Sequence, residues 1–300
     1  MNFLNKILIQ TIPILPKFLV KFFSNRYVAG TTYLDALKII KKLNLEKQSA
    51  TIDILGEHTI SSTNCTEITK SYIQILNEIN NKKIDCNLSI KPSHIGTDIN
   101  YSTALNNFKQ ILNTTDNLGN FLRIDMESSK LTNTTIKLYN ELKKTSENIG
   151  IVFQAYLFRT ENDIKKLAPG SNIRLCKGIY KEQEDISYKK YEDINNNFLK
   201  LLQIAFKRNI YVGIATHDKT LIKNCFELIK KMNISSNDFE FQYLHGVPMR
   251  DMIKIFKEQK YKVRAYVPFG ENWYEYSIRR IKENPKIASY IIKNVFSTKS

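Results

Sequence analysis

The chain has 300 residues, room for one barrel-sized domain and too little for two ordinary enzymes in tandem. A hydrophobic fraction of 42% with a charged fraction of 25%, and no low-complexity tract, excludes a disordered chain. The net charge of +16 suits an anionic membrane surface, but acidic residues are mixed in throughout and no basic run is interleaved with stacking aromatics, which argues against nucleic acid.

The stretch from Phe3 to Phe23 is apolar, yet Gln10, Pro13, Pro16, Lys17 and Lys21 interrupt it and no small-residue cleavage site follows. It reads as a helical arm packed on the domain, with an apolar foot on a membrane surface as the alternative, and not as a bilayer span. The arm is assigned to residues 1–50 and a catalytic barrel to 51–300.

From there, short β-branched or aromatic runs alternate with segments of helical periodicity, the pattern of βα units and a parallel sheet. The strands read Thr51–Gly56, Cys86–Lys91, Phe121–Met126, Ile151–Leu157, Asn172–Lys177, Ile210–Ala215, Phe239–Tyr243 and Lys262–Val267. Between them, Thr66–Asn80, Tyr101–Leu112, Thr132–Lys144, Glu161–Leu167, Tyr188–Arg208, Lys219–Met232 and Met249–Gln259 carry apolar residues at helical spacing, and Asn272–Glu283 supplies the last helix. The fold class is therefore α/β, a TIM-like (β/α)8 barrel with an N-terminal helical arm.

Cys65, Cys86, Cys176 and Cys225 form no C-x-x-C pair, and three of them lie in apolar runs, which points to a reducing, cytoplasmic setting. The closest two glycines, Gly170 and Gly178, are too far apart for a glycine-rich phosphate loop or a nucleophile elbow, so a Rossmann domain, a P-loop enzyme and an α/β-hydrolase are excluded.

Strand alternation assigns an unusually polar set to the barrel interior. It comprises Asn87, Ser89 and Lys91 on the second strand, then Arg123, Asp125 and Glu127, Gln154 and Tyr156, Arg174, His217, Glu240 and Gln242, and lastly Arg264 and Tyr266. Buried charges require partners or a ligand, and barrel enzymes place their chemistry at strand C-termini. Arg123, Glu127, Glu240 and Arg264 either neutralise one another low in the barrel or serve a ligand. Lys91 and Asp125, nearest the mouth, are expected to form a pair that orients an ionic substrate.

Arg279-Arg280 on the last helix is either a solvated face or a carboxylate fork, because adjacent helical positions point ~100° apart. The histidines show no metal-ligand spacing, so no metal is expected. A barrel lysine such as Lys91 or Lys177 is also compatible with Schiff-base chemistry of the aldolase type.

Taken in order, several motifs resemble the monofunctional bacterial proline dehydrogenases. They are Ser89-Ile90-Lys91-Pro92, Arg123-Ile124-Asp125-Met126-Glu127, Gln154-Ala155-Tyr156-Leu157 with Arg159, and Arg174-Leu175-Cys176-Lys177-Gly178-Ile179-Tyr180. Ala215-Thr216-His217-Asp218, the run Phe239 to Gly246, Arg264-Ala265-Tyr266-Val267-Pro268 and Arg279-Arg280 complete the set. The likeness runs from about Tyr27 to the end.

The resemblance implies a non-covalent FAD across the barrel mouth, touched by Met126, Gln154, Arg159, Lys177, Gly178, Ile179, Thr216, His217 and Gln242, with Arg159 near the flavin N5. It implies that Lys91, Arg279 and Arg280 hold the L-proline carboxylate, that Tyr266 closes over the ring and disfavours a 4-hydroxyl, and that Asp125 and Arg174 carry the active-site roles beside it. The implied reaction is oxidation of L-proline to 1-pyrroline-5-carboxylate by hydride transfer to FAD, the first step of proline degradation to glutamate. A membrane quinone is the implied electron acceptor, and the expected setting is the cytoplasm, with peripheral association on the inner face of the cytoplasmic membrane left open.

Overall fold

The computed structural model describes residues 17–283, without the side chains of 17–19, 22, 23 and 279–283. Eight parallel strands close into a barrel in sequence order, β1 (Ser49–Ile54), β2 (Cys86–Ile90), β3 (Leu122–Ile124), β4 (Ile149–Gln154), β5 (Asn172–Cys176), β6 (Tyr211–Ala215), β7 (Phe239–Leu244) and β8 (Val263–Phe269), with β8 pairing back onto β1. Helices α1 (Lys17–Tyr27) and α2 (Tyr33–Leu45) precede the barrel. The crossover helices are α3 (Ser62–Asn81), α4 (Tyr101–Asn117), α5 (Ser129–Lys143), α6 (Thr160–Lys165), α7 (Tyr191–Lys207), α8 (Lys219–Lys231) and α9 (Arg250–Glu258), and α10 (Trp273–Glu283) follows β8.

The outward-facing residues of the strands, including Leu88 and Ile90, Leu122 and Ile124, Ile173 and Leu175, and Val212 and Ile214, are fully buried against the helices. Each such side chain contributes about 1.5–3 kcal/mol on burial. The helices answer in register: α8 buries Leu221, Ile222, Cys225 and Ile229 along one stripe, and Asp218 caps it by accepting from Thr220 N at 3.0 Å and Leu221 N at 3.2 Å. Cys65, Cys86 and Cys225 are buried free thiols, and Cys176 is half-buried.

Several element ends depart from the sequence reading. The expected fourth strand through Leu157 stops at Gln154, because the chain turns there: Leu157 N donates to Gln154 O and Thr160 Oγ1 caps the same carbonyl at 2.7 Å. The second strand stops before Lys91, since the residue preceding Pro92 is held extended and Pro92–Ile95 then forms a 3-10 turn, which sequence periodicity did not disclose. These early stops at the C-terminal face release Lys91 and Tyr156 from the sheet.

Of the expected arm, residues 1–16 lie outside the described residues, as does the chain after 283. Helix α1 lies against α10, where Val20, Tyr27 and Val28 join Leu55, Leu244 and Tyr276 in a second apolar cluster beside the barrel mouth. Arg26 fastens it, its Nε donating to Gly246 O at 2.8 Å. Among the described residues no helix is long and apolar enough to cross a membrane.

Candidate active site

The barrel interior is filled by polar side chains in two layers. In the lower one, near the strand N-termini, Glu240 Oε1 accepts from Arg264 Nε at 2.8 Å and Gln242 Nε2 at 2.6 Å, and Arg264 Nη1 reaches Ala50 O at 2.7 Å. Arg123 donates to Asn172 Oδ1 at 2.6 Å and Asn172 O at 2.9 Å, with its guanidinium over the Phe121 ring. Gly213 on β6 makes room for this packing, because a Cβ there would stand 2.4 Å from the Gln242 amide. Burial opposes ionisation of Glu240, but Arg264 outweighs it and holds the carboxyl below its usual range. Mutual neutralisation within Arg123, Glu127, Glu240 and Arg264 thus holds for Glu240 and Arg264. Arg123 is satisfied by Asn172, and Glu127 sits at the mouth, bound by Ser93 N at 2.9 Å and Ser93 Oγ at 2.5 Å.

The upper layer centres on two carboxylates. Asp125 Oδ1 accepts from Ser89 Oγ at 2.6 Å and from Arg174 Nη1 at 2.8 Å, while Arg174 Nε donates to Gln242 Oε1 at 2.6 Å. The expected Lys91–Asp125 pair is not what forms. Lys91 Nζ donates to Asp53 Oδ2 at 2.7 Å, with Asp53 fully buried on the adjacent β1 and Asp125 already engaged by Arg174 at 2.8 Å. Tyr266 OH bridges the two acids, 2.7 Å from Asp53 Oδ2 and 3.2 Å from Asp125 Oδ2. Burial disfavours a charged Lys91, but Asp53 and Asp125 overcome it and raise its pKa, so the amine stays protonated. That speaks against a Schiff-base role, which needs a neutral amine.

Above these groups opens a cavity of about 460 Å³. Lys91 and Asp125 line it from just beyond β2 and β3, Tyr266 from β8 and Arg174 from β5; Met126, Gln154, Lys177, Gly178, Ile179, Thr216, His217 and Gln242 also line it. Cys176 and Tyr276 line it as well. Arg159 does not: it heads α6 and points along that helix, Nε to Asp163 Oδ2 at 2.7 Å, half-exposed. Of Arg159 and Arg174, Arg174 is the one that lines the cavity. Arg279 and Arg280 lie on α10, but their side chains are outside the described residues.

The rest of the wall is fixed by local structure. Lys177 pairs with Asp218 at 2.6 Å and lies over the Tyr191 ring. Against the cost of burial, hydrogen bonds from Lys177 and Tyr191 and from the start of α8 hold the Asp218 carboxyl well below its usual range. His217 Nε2 accepts from Leu244 N at 2.9 Å. Gly178 has a φ of 108° and its α-carbon abuts Tyr156, where a Cβ would meet the ring at 2.3 Å, so the chain can turn there only as glycine. Tyr156 is thereby engaged by the loop after β5, its OH 3.5 Å from Glu182.

Gln154 carries an unmet demand. Its Nε2 donates to Met126 O and Glu127 O, both at 3.3 Å, which leaves Oε1 to accept, and Oε1 is buried with no partner. A further grouping that the linear spacing of histidines conceals is Glu57, His58 and Glu127, whose ligand atoms lie within 4.8 Å of one another. His58 is engaged there by Asp98, 2.7 Å away.

Fold and site together define a β/α-barrel enzyme whose pocket, at the C-terminal ends of the strands, is lined by Lys91, Asp125, Arg174 and Lys177 among its side chains. The family profile described as Proline dehydrogenase matches residues 36–292. Proline dehydrogenase 1 of Bacillus subtilis subsp. natto is 33% identical over 273 residues, 91% of this chain and 90% of that one, and the proline dehydrogenase of Deinococcus radiodurans is 30% identical over 280 residues, 91% and 89% of the two chains. The chain belongs to the proline dehydrogenase family, oxidoreductases acting on the CH–NH group of donors. Proline utilization A from Bdellovibrio bacteriovorus shares the fold with a TM-score of 0.82 at 22% identity over 93% of this chain, which spans only 34% of that chain's length.

Proposed function

We propose that the protein oxidises L-proline to 1-pyrroline-5-carboxylate with FAD as cofactor and a membrane quinone as electron acceptor. One observation carries this: a single cavity is lined by the ionic set Lys91, Asp125 and Tyr266 on the β8–β3 arc and by Gln154, Lys177, Gly178 and His217 on the β4–β6 arc. The first suits a small zwitterion and the second a nucleotide cofactor. The residues fit a flavin, because the buried Gln154 Oε1 awaits a donor and an isoalloxazine ring offers an N–H, while Lys177 supplies a cation for phosphate.

Protonated Lys91 binds the substrate carboxylate, joined by Arg279 and Arg280 from α10. Asp125, whose Oδ2 faces the cavity with only the longer Tyr266 contact, receives the ring nitrogen; Tyr266 packs on the ring carbons and leaves no room for a 4-hydroxyl. Arg174, anchored by Asp125, Ser89 and Gln242, is the fixed cation on the β5 side of the cavity. FAD, when bound there, would supply the acceptor for the hydride that leaves the ring carbon next to nitrogen. A proton on the ring nitrogen passes to the Asp125 carboxylate that receives that nitrogen, the freed lone pair forms the C=N bond, and catalysis is chiefly positioning. The test is to incubate FAD-loaded protein with L-proline and a soluble quinone and trap the cyclic imine with an aromatic amino-aldehyde. Imine from L-proline and little from 4-hydroxyproline is expected, and no imine would overturn the reading.

A further inference from the structure

Asp53 belongs to none of the motifs that carry the family resemblance, does not line the cavity, and is wholly enclosed on β1. Its Oδ2 nevertheless receives both Lys91 Nζ and Tyr266 OH at 2.7 Å, and its Oδ1 stands 3.4 Å from Tyr72 OH on α3. We propose that Asp53 is the positioning residue of the substrate site, one buried carboxylate that aims the Lys91 ammonium and the Tyr266 ring together; this rests on the reading of Lys91 and Tyr266 as substrate-binding groups.

Chemistry and geometry concur. A tyrosine hydroxyl has one proton, and the shorter contact favours Asp53 as its acceptor, which leaves Asp125 Oδ2 acceptor capacity for the ligand. A buried ammonium left alone would shed its proton, and the groups facing Lys91 are Asp53 from β1, Glu57 beyond it, Asp125 and Glu127 beyond β3, and His94 from the turn after β2. Asp53 is the acid in contact. Burial holds His94 neutral, its pKa down to about 3, so it does not compete for the acid.

The experiment titrates tetrahydrofuran-2-carboxylate, proline with oxygen in place of the ring N–H, into the FAD-loaded full chain and follows the flavin spectrum. Asp53→Asn keeps the shape and removes the charge, and is expected to weaken binding about tenfold or more, the size of a charge-assisted hydrogen bond. The weakening should grow above neutral pH, because Lys91 then loses its proton within the accessible range while the parent stays flat. In a Lys91→Met background the same substitution should cost clearly less, about threefold at most, since only the route through Tyr266 to the ligand remains.

Equal losses in both backgrounds, a parallel pH profile, or no loss at all would overturn the proposal. Should Asp53→Asn not fold, Lys91→Met and Tyr266→Phe form the cycle instead: losses that combine below their product support a shared anchor, and independent losses refute it. A parent protein that binds no ring acid refutes the substrate reading itself, and this inference with it. A parent that binds while Asp53→Asn is indistinguishable refutes the role of Asp53 alone.

Discussion

The two layers inside the barrel are built from the same residue types and differ in whether the protein alone satisfies them. Below, Glu240, Arg264, Gln242 and the Arg123–Asn172 contacts meet their demands within the fold. Above, Lys91 and Asp125 reach an open cavity, Asp125 Oδ2 has only a 3.2 Å partner, and Gln154 Oε1 has none. Charge in a barrel interior does not mark a site; unmet hydrogen-bonding capacity facing a cavity does.

The sharpest way to break that distinction is in the lower layer. Glu240→Ala strands a buried arginine and should cost about 3–5 kcal/mol of stability, read from denaturant midpoints, while the folded fraction still binds the ring acid. The acid limb tests the same group: a carboxyl held below its usual 4.5 stabilises fully above that value and loses its contribution as pH falls through the depressed one, so the parent should lose stability on acidification more steeply than the variant. Loss of binding with unchanged stability would erase the contrast between layers.

In the upper layer, Asp125→Ala should lower kcat/KM on proline by about 100-fold or more with the fold retained, measured by steady-state kinetics and circular dichroism. Full activity would remove Asp125 from the site. Gln154→Leu should weaken FAD binding about tenfold, the value of a buried acceptor, by fluorescence titration. Arg159→Ala should change FAD affinity and the rate less than about twofold, because its guanidinium is turned to Asp163 on α6 and does not line the cavity. A large loss there would restore the cofactor contact that the resemblance implied and the cavity wall lacks.

Much of this was legible in the sequence because strand periodicity and strand-end motifs report on each other. The eight strands, and the placing of Asp125, Arg174, Gln154 and Tyr266 inside the barrel, follow from two-residue alternation. What escaped depends on which strands stand side by side in the closed barrel. Asp53 stands in a run read only as a strand, although an aspartate between Ile52 and Ile54 was a signal, since strands seldom hold one without a buried partner. The choice between Asp53 and Asp125 as partner for Lys91 is set by which strands adjoin β2 and by the competing hold of Arg174, and no spacing along the chain encodes it. Arg159 lies within a motif that resembles the family, and its direction is settled by the turn that ends β4.

The most direct test of the central claim, that the upper layer is a proline and flavin site, is the visible absorption of the FAD-loaded protein before and after anaerobic addition of L-proline. Bleaching of the oxidised flavin bands is the predicted result. A protein that binds FAD yet keeps its colour with proline would leave the barrel standing and contradict the assignment of Lys91, Asp125 and Tyr266 to this substrate.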